Sequence, residues 1–254
     1  MKKIHTLAIA SFLVVILVSS CRRHKDPENP AVVVANAVTD IDGNSYDAAL
    51  IGGHWWMASN LKVTRYADGT PIPEGGDSYS DTLPYRYAPD NNEENISAYG
   101  RLYNWAAAMH GDLHSYGPDA FVQGICPDGW HLPSHNEWKT MTDTVKLNKS
   151  FINYSGSVAK ALASTNTWDS TTSRLAPGRD IAKNNATGFS AMPSGCFNFG
   201  NYVDKDQYAH YWTSTRASAT SIYGVGWNIG FDKMNAFSSE SSMFYGMAVR
   251  CVQD

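Results

Sequence analysis

Apolar residues recur at helical spacing in the middle of the chain. Between residues 101 and 109 they occupy the i, i+3, i+4 and i+7 positions of one helix face: Leu102, Trp105, Ala106 and Met109. Gly111 follows two residues later and is a typical helix terminator. The pattern therefore predicts a first helix over about residues 101–109.

A second helix is predicted from Ser134 onward. Ser134 and Glu137 have the spacing of a capping box, in which each side chain bonds to the backbone of the other residue. Trp138, Met141 and Val145 then fall on one helix face, which we expect to be buried.

Short aromatic-rich runs separated by turn residues predict strands. Residues 45–51 and 54–57 form a predicted hairpin around a Gly-Gly turn. Nearer the C-terminus, strands are predicted over 188–192, 210–214, 221–231 and 246–252, with a turn over 232–235. The polar segments 64–98 and 148–186 are predicted to be mostly irregular. Because helices and strands are segregated along the chain, we expect an α+β domain with two helices packed on antiparallel sheets and long loops.

Composition agrees with such a domain. Aromatic residues make up 12% of the chain, and 43% of all residues are hydrophobic, which excludes a mostly disordered chain. The net charge of −4 provides no basic surface for nucleic acid, so no nucleic-acid partner is expected. Aromatic residues can form either a core or a sugar-stacking surface. We expect Trp105, Trp130 and Trp138 to belong to the core.

The first 21 residues have the features of a lipoprotein signal peptide. Two lysines precede an apolar stretch over residues 7–18, which is shorter than the ~20 residues of a membrane-spanning helix. Val18-Ser19-Ser20-Cys21 resembles the bacterial lipobox, whose cysteine is lipidated and becomes the new N-terminus. The alternative is an ordinary signal peptide with a chance cysteine. We expect Cys21 to anchor the protein in the cell envelope, at the outer membrane.

Three segments of the chain follow from this interpretation. Residues 1–20 are the signal peptide, 21–39 the lipidated cysteine and tether, and 40–253 the folded domain. Cleavage removes two lysines and no acidic residue, so the net charge changes from −4 to −6. The expected partner is therefore the membrane, through the lipid. Whether the domain faces the periplasm or the cell surface is left open.

Three cysteines remain besides the lipidated one, and three cannot all pair within one chain. Thiols outside the cytoplasm tend to form disulfides. A Cys126–Cys251 bond is favoured because both residues lie at the ends of predicted structured segments, and we expect the three core tryptophans near it. Cys196 is then a buried small hydrophobic residue or, less commonly, a reactive thiol.

No metal or cofactor site stands out. Two histidine pairs have the i, i+4 spacing of helical zinc ligands, His110/His114 and His131/His135. A glycine in the first pair and a proline in the second argue against a continuous helix, so no metal is expected there. The oxygen-rich segments 40–44 and 90–95 are predicted as turns, with calcium binding as the alternative. Nucleophile elbows, phosphate loops and dinucleotide fingerprints are absent, and no cofactor is expected.

Seven ordered segments resemble one family. They are DGNSY at 42–46, IGGHWWMASNL at 51–61, YGRLYNWAA at 99–107, CPDGWHLPS at 126–134, GFSAMP at 188–193, YWTST at 211–215 and VRCV at 249–252. Together they resemble the Fibrobacter succinogenes major paralogous domain, which is common in lipoproteins of Bacteroidota and their relatives. The resemblance covers about residues 40–253 and brings no established biochemical activity.

A more distant similarity concerns the fold. Residues 129–138 and the C-terminal segment are similar to domains of the formylglycine-generating type. That similarity implies a C-type-lectin-like fold, in which the terminal strands meet and a long-range disulfide such as Cys126–Cys251 fits. It does not carry over their chemistry, because residues 197–250 contain no copper-binding cysteines. The calcium-binding motifs of lectins are also missing, since Trp227-Asn228 is followed by Ile229.

The expected function is non-catalytic binding or adhesion, with a glycan or a protein as ligand. The alternatives are a structural envelope protein without a small ligand, and an enzyme related to the formylglycine-generating type. In a Bacteroidota host, Asp81-Thr82-Leu83 and Asp143-Thr144-Val145 would resemble an O-glycosylation signal. Thr82 is the preferred site, because it lies in a predicted loop.

Overall fold

Short strands dominate the computed structural model, which describes residues 28–112, 117 and 121–254. The strands are β1 (Val33–Thr39), β2 (Ser45–Ile51), β3 (His54–Met57), β4 (Arg86–Tyr87), β5 (Leu102–Tyr103), β6 (Trp130–His131), β7 (Ser194–Asn198), β8 (Asn201–Lys205), β9 (Tyr208–Arg216), β10 (Tyr223–Gly230), β11 (Phe237–Ser242) and β12 (Val252–Gln253). The α-helices are α1 (Ile96–Tyr99), α2 (Trp105–Ala108), α3 (His135–Leu147), α4 (Lys149–Ser155) and α5 (Val158–Leu162). This mixture confirms the α+β class.

The first sheet joins the two ends of the described chain in the order β1-β2-β3-β12-β6. The β2/β3 hairpin has the predicted bounds, and positive φ angles at Gly52 and Gly53 form its turn. Val252 pairs with Trp56 on one side and with His131 on the other. The C-terminal strand is therefore inserted between two segments that lie far apart in the sequence.

The second sheet has the order β11-β10-β9-β7-β8. The strands predicted over 210–214 and 221–231 are confirmed as β9 and β10, and the predicted turn at 232–235 connects β10 with β11. Neighbouring strands are antiparallel except β7 and β9, which pair in parallel at Gly195 and Ala209. The sequence pattern did not predict β7, β8 or β11.

Helix α3 packs between the two sheets. Its predicted capping box is present: the Ser134 side chain accepts a hydrogen bond from the Glu137 amide, and the Glu137 carboxylate accepts one from the Ser134 amide. Trp138 is fully buried, with its ring centroid 5.4 Å from that of Trp56 in the first sheet and 5.2 Å from that of Tyr211 in the second. One side chain of α3 thus links both sheets.

A second core cluster surrounds the disulfide. Cys126 and Cys251 are bonded, as predicted, and close a loop of 125 residues in sequence separation. Trp105 and Trp130 are buried in this cluster, which confirms their predicted location. Trp138 is buried as predicted, but it belongs to the other core cluster, because its helix face points to the β2–β3 and β9–β10 strands.

Arg250, which belongs to the VRCV motif at 249–252, has a structural role. Its guanidinium is fully buried and donates hydrogen bonds to Asn60 Oδ1 at 2.7 Å and to the Met57 carbonyl at 2.8 Å. It also donates to the carbonyls of Phe189 and Ser190 and lies over the Phe189 ring. The arginine therefore fixes the 188–190 loop against the end of β3.

The first predicted helix is shorter than the hydrophobic spacing indicated. Residues 102–103 form β5, paired with β4, and the helix begins only after Asn104. The Asn104 side chain accepts a hydrogen bond from the Ala107 amide, so it caps α2 at that point. The Nδ2 atom of the same Asn104 side chain also donates hydrogen bonds to the Ser80 and Leu83 carbonyls. These tertiary contacts fix where the helix starts.

Three other predicted segments need correction. Residues 148–186 contain α4 and α5, whose N-termini are capped by the Asn148 and Ser157 side chains. Residues 188–192 are not a strand, since Ser190 has a φ of 54° and the Phe189 and Ser190 carbonyls accept hydrogen bonds from Arg250. Residues 246–252 form isolated bridges with three different partners before the chain enters β12.

The predicted tether over 21–39 is also partly wrong. Its last seven residues form β1, which pairs with β2 at Val33–Ala49 and Thr39–Ser45. Most of this strand is solvent-exposed although its sequence, VVANAVT, is mainly apolar, so it shows no alternation of apolar and polar residues that would have predicted its pairing. Cys21 and residues 1–20 lie outside the described residues.

Candidate functional site

A cavity of about 220 Å³ opens on the second sheet, lined by residues of β7 to β11 and of the segment before β12. It contains the only group of three potential metal-binding side chains within the described ranges: Cys196, Asp204 and His210. Each comes from a different strand, respectively β7, β8 and β9. Their ligand atoms lie within 4.8 Å of one another.

An unusual backbone conformation brings Asp204 to this cavity. Cys196 pairs with Val203 across β7 and β8, and both line the cavity. In a regular strand Asp204, the residue after Val203, would point to the opposite face of the sheet. Asp204 has a φ of 64°, and it lines the same cavity as Val203. Opposite it, Gly195 has a φ of 63°, and a Cβ there would lie 2.2 Å from the Val203 carbonyl oxygen, so glycine is required.

The His210 ring is oriented by Asn228. The Asn228 Nδ2 donates to the Phe237 carbonyl at 3.2 Å and to Ser239 Oγ at 2.9 Å, which turns its Oδ1 towards His210. Because this Oδ1 can only accept, His210 Nδ1 carries a proton and donates to it at 2.7 Å. The other ring nitrogen, Nε2, lies 3.3 Å from Asp204 Oδ2.

Electrostatics distinguish the three side chains. Burial, together with the nearby Asp204 charge, raises the pKa of the Cys196 thiol to about 12. The hydrogen bond from His210 lowers the pKa of Asp204 and outweighs the opposing effect of burial. The site therefore presents a protonated thiol, an ionised carboxylate and an imidazole nitrogen around one point.

An aromatic patch lies beside the cavity, formed by the exposed Tyr79 and Phe199 and the half-buried Phe244 and Tyr245. The Phe199 ring centroid is 4.3 Å from that of Phe244 and 5.5 Å from that of Tyr79. Tyr79 is 52% exposed and Phe199 53% exposed. Tyr245 contacts Phe244 and also lines the cavity, so the aromatic patch and the cavity are continuous.

Phe199 occupies the tip of the β7/β8 hairpin. The hairpin closes at the Asn198–Asn201 pair, so Phe199 and Gly200 form a two-residue loop. Their φ angles are 47° and 81°, the sign that a type I′ turn requires at both positions. Asparagine or glycine usually occupies the first position, and a bulky aromatic there is strained.

The predicted modification site is accessible. Thr82 is exposed in the loop before β4, whereas Thr144 is half-buried on α3. The geometry thus agrees with the preference for Thr82, while glycosylation itself stays a prediction. Cys196 is buried as expected, but the sequence did not indicate that a carboxylate and an imidazole surround it.

The other candidate ligands are engaged within the protein. The two ring nitrogens of His131 face Glu137 and Asp254 instead of His135. His114 lies outside the described residues. In the 40–44 segment, Asp40 accepts from the Tyr46 hydroxyl and from Asn44, as a turn residue does.

The 90–95 segment is organised by its own backbone and neighbours. Asn92 caps the turn at Glu94, and Asn95 donates to the Pro89 carbonyl. Glu93 forms a bidentate pair with Arg101. These contacts favour the predicted turns over the calcium alternative in both segments.

Comparisons with known proteins define the family. The chain matches the Fibrobacter succinogenes major domain over residues 50–253, and it belongs to that family. No curated protein and no solved structure matches it. Within the described part of the chain, no helix combines the length and apolar character needed to cross a membrane.

Proposed function

We propose that the protein is a cell-envelope lipoprotein, anchored through Cys21 at the outer membrane, whose domain binds a glycan without catalysing a reaction. The observation that carries the binding proposal is the aromatic patch at the end of the second sheet. Exposed aromatic rings stack on the apolar faces of sugar rings, and clustered rings of this kind are uncommon on a surface that binds nothing.

The conformation of Phe199 supports a binding role. A large apolar side chain at a positive φ angle costs stability, of order 1–3 kcal/mol, and such outliers cluster at functional sites. The ring is exposed rather than buried, so packing alone does not account for its position. Placing it at the hairpin tip presents it to a ligand.

Polar groups next to the aromatic patch suit a sugar. Asn198 Oδ1 is buried in the cavity region without a hydrogen-bond partner in the described structure, so it is able to accept from a ligand hydroxyl. Ser239 and Ser241 line the same cavity. The apolar faces of a sugar ring stack on aromatic rings, and the hydroxyl groups at its edges need hydrogen-bond partners. The aromatic patch and the neighbouring polar groups together provide both kinds of contact.

For the scaffold we propose a C-type-lectin-like fold. Two features support it: β12 is inserted beside β3, which joins the terminal segments, and the Cys126–Cys251 bond ties the segment before α3 to the end of the chain. The loops of such a scaffold carry its binding residues, in agreement with Tyr79 and the Phe199 turn.

A glycan array probed with the full-length chain in detergent tests the binding proposal. Phe199→Ala and Tyr79→Ala should each abolish most of the signal, because each removes an exposed stacking ring. Tyr223→Ala is the matched control: this tyrosine is 43% exposed but makes no ring contact with the aromatic patch, and its loss should leave the signal unchanged. Absence of any glycan signal, or equal loss in the control, would contradict the proposal.

Anchoring has its own test. Cys21→Ser should prevent lipidation, so that the protein leaves the membrane fraction or accumulates with its signal peptide. Mass spectrometry of the wild-type N-terminus should show an acylated Cys21. Unchanged processing and membrane retention in the variant would disprove the lipoprotein proposal.

A further inference from the structure

We propose that Cys196, Asp204 and His210 bind a zinc ion in the cavity of the second sheet. This inference does not depend on the glycan proposal, since it concerns three side chains inside the cavity rather than the exposed rings. The three residues lie on adjacent strands, so the sheet itself fixes their backbones.

The distances fit a tetrahedral ion. With zinc–ligand distances of about 2.0–2.3 Å, neighbouring ligand atoms in a tetrahedral site lie roughly 3.5 Å apart. His210 Nε2 and Asp204 Oδ2 are 3.3 Å apart. All three ligand atoms fall within 4.8 Å of one another, so the longest separation would have to shorten by at most about 1.3 Å to reach tetrahedral spacing.

The donor set selects the metal. One sulfur, one imidazole nitrogen and one carboxylate oxygen suit zinc, whereas calcium and magnesium prefer sites made of oxygen alone. Cys196 is 7% exposed and makes no hydrogen bond to any described residue, so the sulfur has no competing partner. Zinc would bind its thiolate form and release the thiol proton.

The surroundings of His210 resemble those of a metal ligand. A zinc-bound histidine usually donates its other ring N–H to a neighbouring acceptor, which fixes the tautomer. Asn228 Oδ1 provides that acceptor, and its own orientation is fixed by Phe237 and Ser239. Nε2 is therefore held towards Asp204 and Cys196.

A cysteine nucleophile is the competing interpretation of this group. It needs a histidine nitrogen free to take the thiol proton and a thiol that ionises readily. Here the ring nitrogen that faces the cavity, Nε2, already lies 3.3 Å from Asp204 Oδ2, so it is not free to take the thiol proton. Three protein ligands instead leave a fourth zinc position for water or a ligand, and the unpartnered Asn198 Oδ1 lines the same cavity.

Zinc titration of the full-length chain carrying Cys21→Ser tests the proposal. In this protein Cys196 is the single thiol outside the disulfide. After removal of metal with a chelator, calorimetry should show one zinc ion per chain. With Co²⁺ as a probe, a thiolate-to-cobalt charge-transfer band should appear together with the intense visible bands of tetrahedral cobalt.

Variants distinguish this site from adventitious binding. Cys196→Ala should abolish the charge-transfer band, and Asp204→Asn and His210→Gln should each weaken zinc binding at least ~10-fold. Asp204→Asn keeps the side-chain shape and tolerates the positive φ, so it should fold normally. His54→Ala, at an exposed histidine, is the control and should bind like the parent. Absence of stoichiometric zinc, or binding that survives all three ligand variants, would overturn the proposal.

Discussion

Two histidines show how different surroundings give the same side chain different capacities. His131, between the first sheet and α3, has Glu137 Oε1 at 2.7 Å and Asp254 Oδ1 at 2.8 Å from its two ring nitrogens. His210, on the second sheet, has an amide oxygen at 2.7 Å and a carboxylate oxygen at 3.3 Å. We refer to these regions as the His131 lock and the His210 cavity.

In the His131 lock, both ring nitrogens are occupied by partners within the protein. Both nitrogens face carboxylates, which can only accept, so the ring must be doubly protonated to satisfy both. Burial alone would lower the pKa of His131, but the hydrogen bonds with Glu137 and Asp254 outweigh it and raise the pKa. This cation joins β6, the residue after β12 and the first turn of α3.

In the His210 cavity, one ring nitrogen has a weaker partner and faces a cavity. Its Nε2–carboxylate contact is longer, a thiol lies close by, and a cavity adjoins the group. Asn228 Oδ1 and Asp204 Oδ2 also only accept, so Nε2 donates to Asp204 while it is protonated, and a metal ion would take the place of that proton. The His131 side chain is 7% exposed and the His210 side chain 17% exposed, so the two differ more in their partner atoms than in their access to solvent.

The largest effect is expected where α3 joins the two sheets. Trp138→Ala should destabilise the protein by about 3–5 kcal/mol, because it removes a ring packed between Trp56 and Tyr211. Cys196→Ala, at the cavity of the second sheet, should cost about 1 kcal/mol. Urea unfolding measures both. Equal losses would show that the cavity contributes as much to stability as the junction between α3 and the two sheets.

Reduction of the disulfide should have the next largest effect. Cys126 and Cys251 connect the segment before β6 to the end of the chain, and loss of a native disulfide typically costs about 2–5 kcal/mol. Calorimetry should show a lower melting temperature for the protein with Cys126→Ala and Cys251→Ala. A melting temperature equal to that of the wild type would mean that hydrogen bonds and packing suffice to hold the first sheet.

The His131 lock should also make stability depend on pH. The folded pKa of His131 lies above its ordinary value of 6.5, so its contribution is complete below pH 6.5 and is lost as the pH rises through the folded pKa. Burial would raise the pKa of Glu137, but hydrogen bonds from His131 and Ser134 lower it below 4.5. The contribution of Glu137 is therefore present above pH 4.5 and is lost as the pH falls through the folded pKa.

The lock should consequently contribute most between about pH 4.5 and 6.5. His131→Gln should reduce the free energy of unfolding more at pH 5.5 than at pH 8.5. His210→Gln, in metal-free protein, serves as the comparison at the other region. A loss for His131→Gln that is the same at both pH values would show that its charge is unimportant.

The smallest effect on stability is expected at the hairpin tip. Phe199→Asn relieves the strain of a bulky residue at positive φ, which should stabilise the protein by about 1 kcal/mol. It also removes the ring contacts with Phe244 and Tyr79, which should destabilise the protein by about 1 kcal/mol. The melting temperature should therefore change little while glycan retention falls. A large loss of stability without a loss of binding would make Phe199 a structural residue.

Local signals explain which parts of this molecule could be predicted. The capping box of Ser134 and Glu137 and the Gly52-Gly53 hairpin depend on neighbouring residues, and the structure has both. The beginning of α2 at Asn104 could not be read in this way, because its side chain is held by loop carbonyls about twenty residues away.

The candidate site could not be predicted from the sequence, because it too depends on contacts between distant residues. Cys196, Asp204 and His210 meet only because three strands pair, and Asp204 reaches the cavity through a backbone angle that the strand pattern does not encode. One signal was available: the Phe199-Gly200 pair between two short polar–apolar runs is compatible with a hairpin. That hairpin would have placed Cys196 and the acidic residue on adjacent strands.

Nitrogen-15 NMR of the histidine rings tests the contrast between the two regions most directly. In the full-length chain carrying Cys21→Ser, at pH 6, the His131 ring should show two protonated nitrogens, with assignment from the His131→Gln and His210→Gln variants. One equivalent of zinc should shift the Nε2 resonance of His210 and leave His131 unchanged. Zinc that perturbs His131, or that perturbs neither ring, would contradict the account.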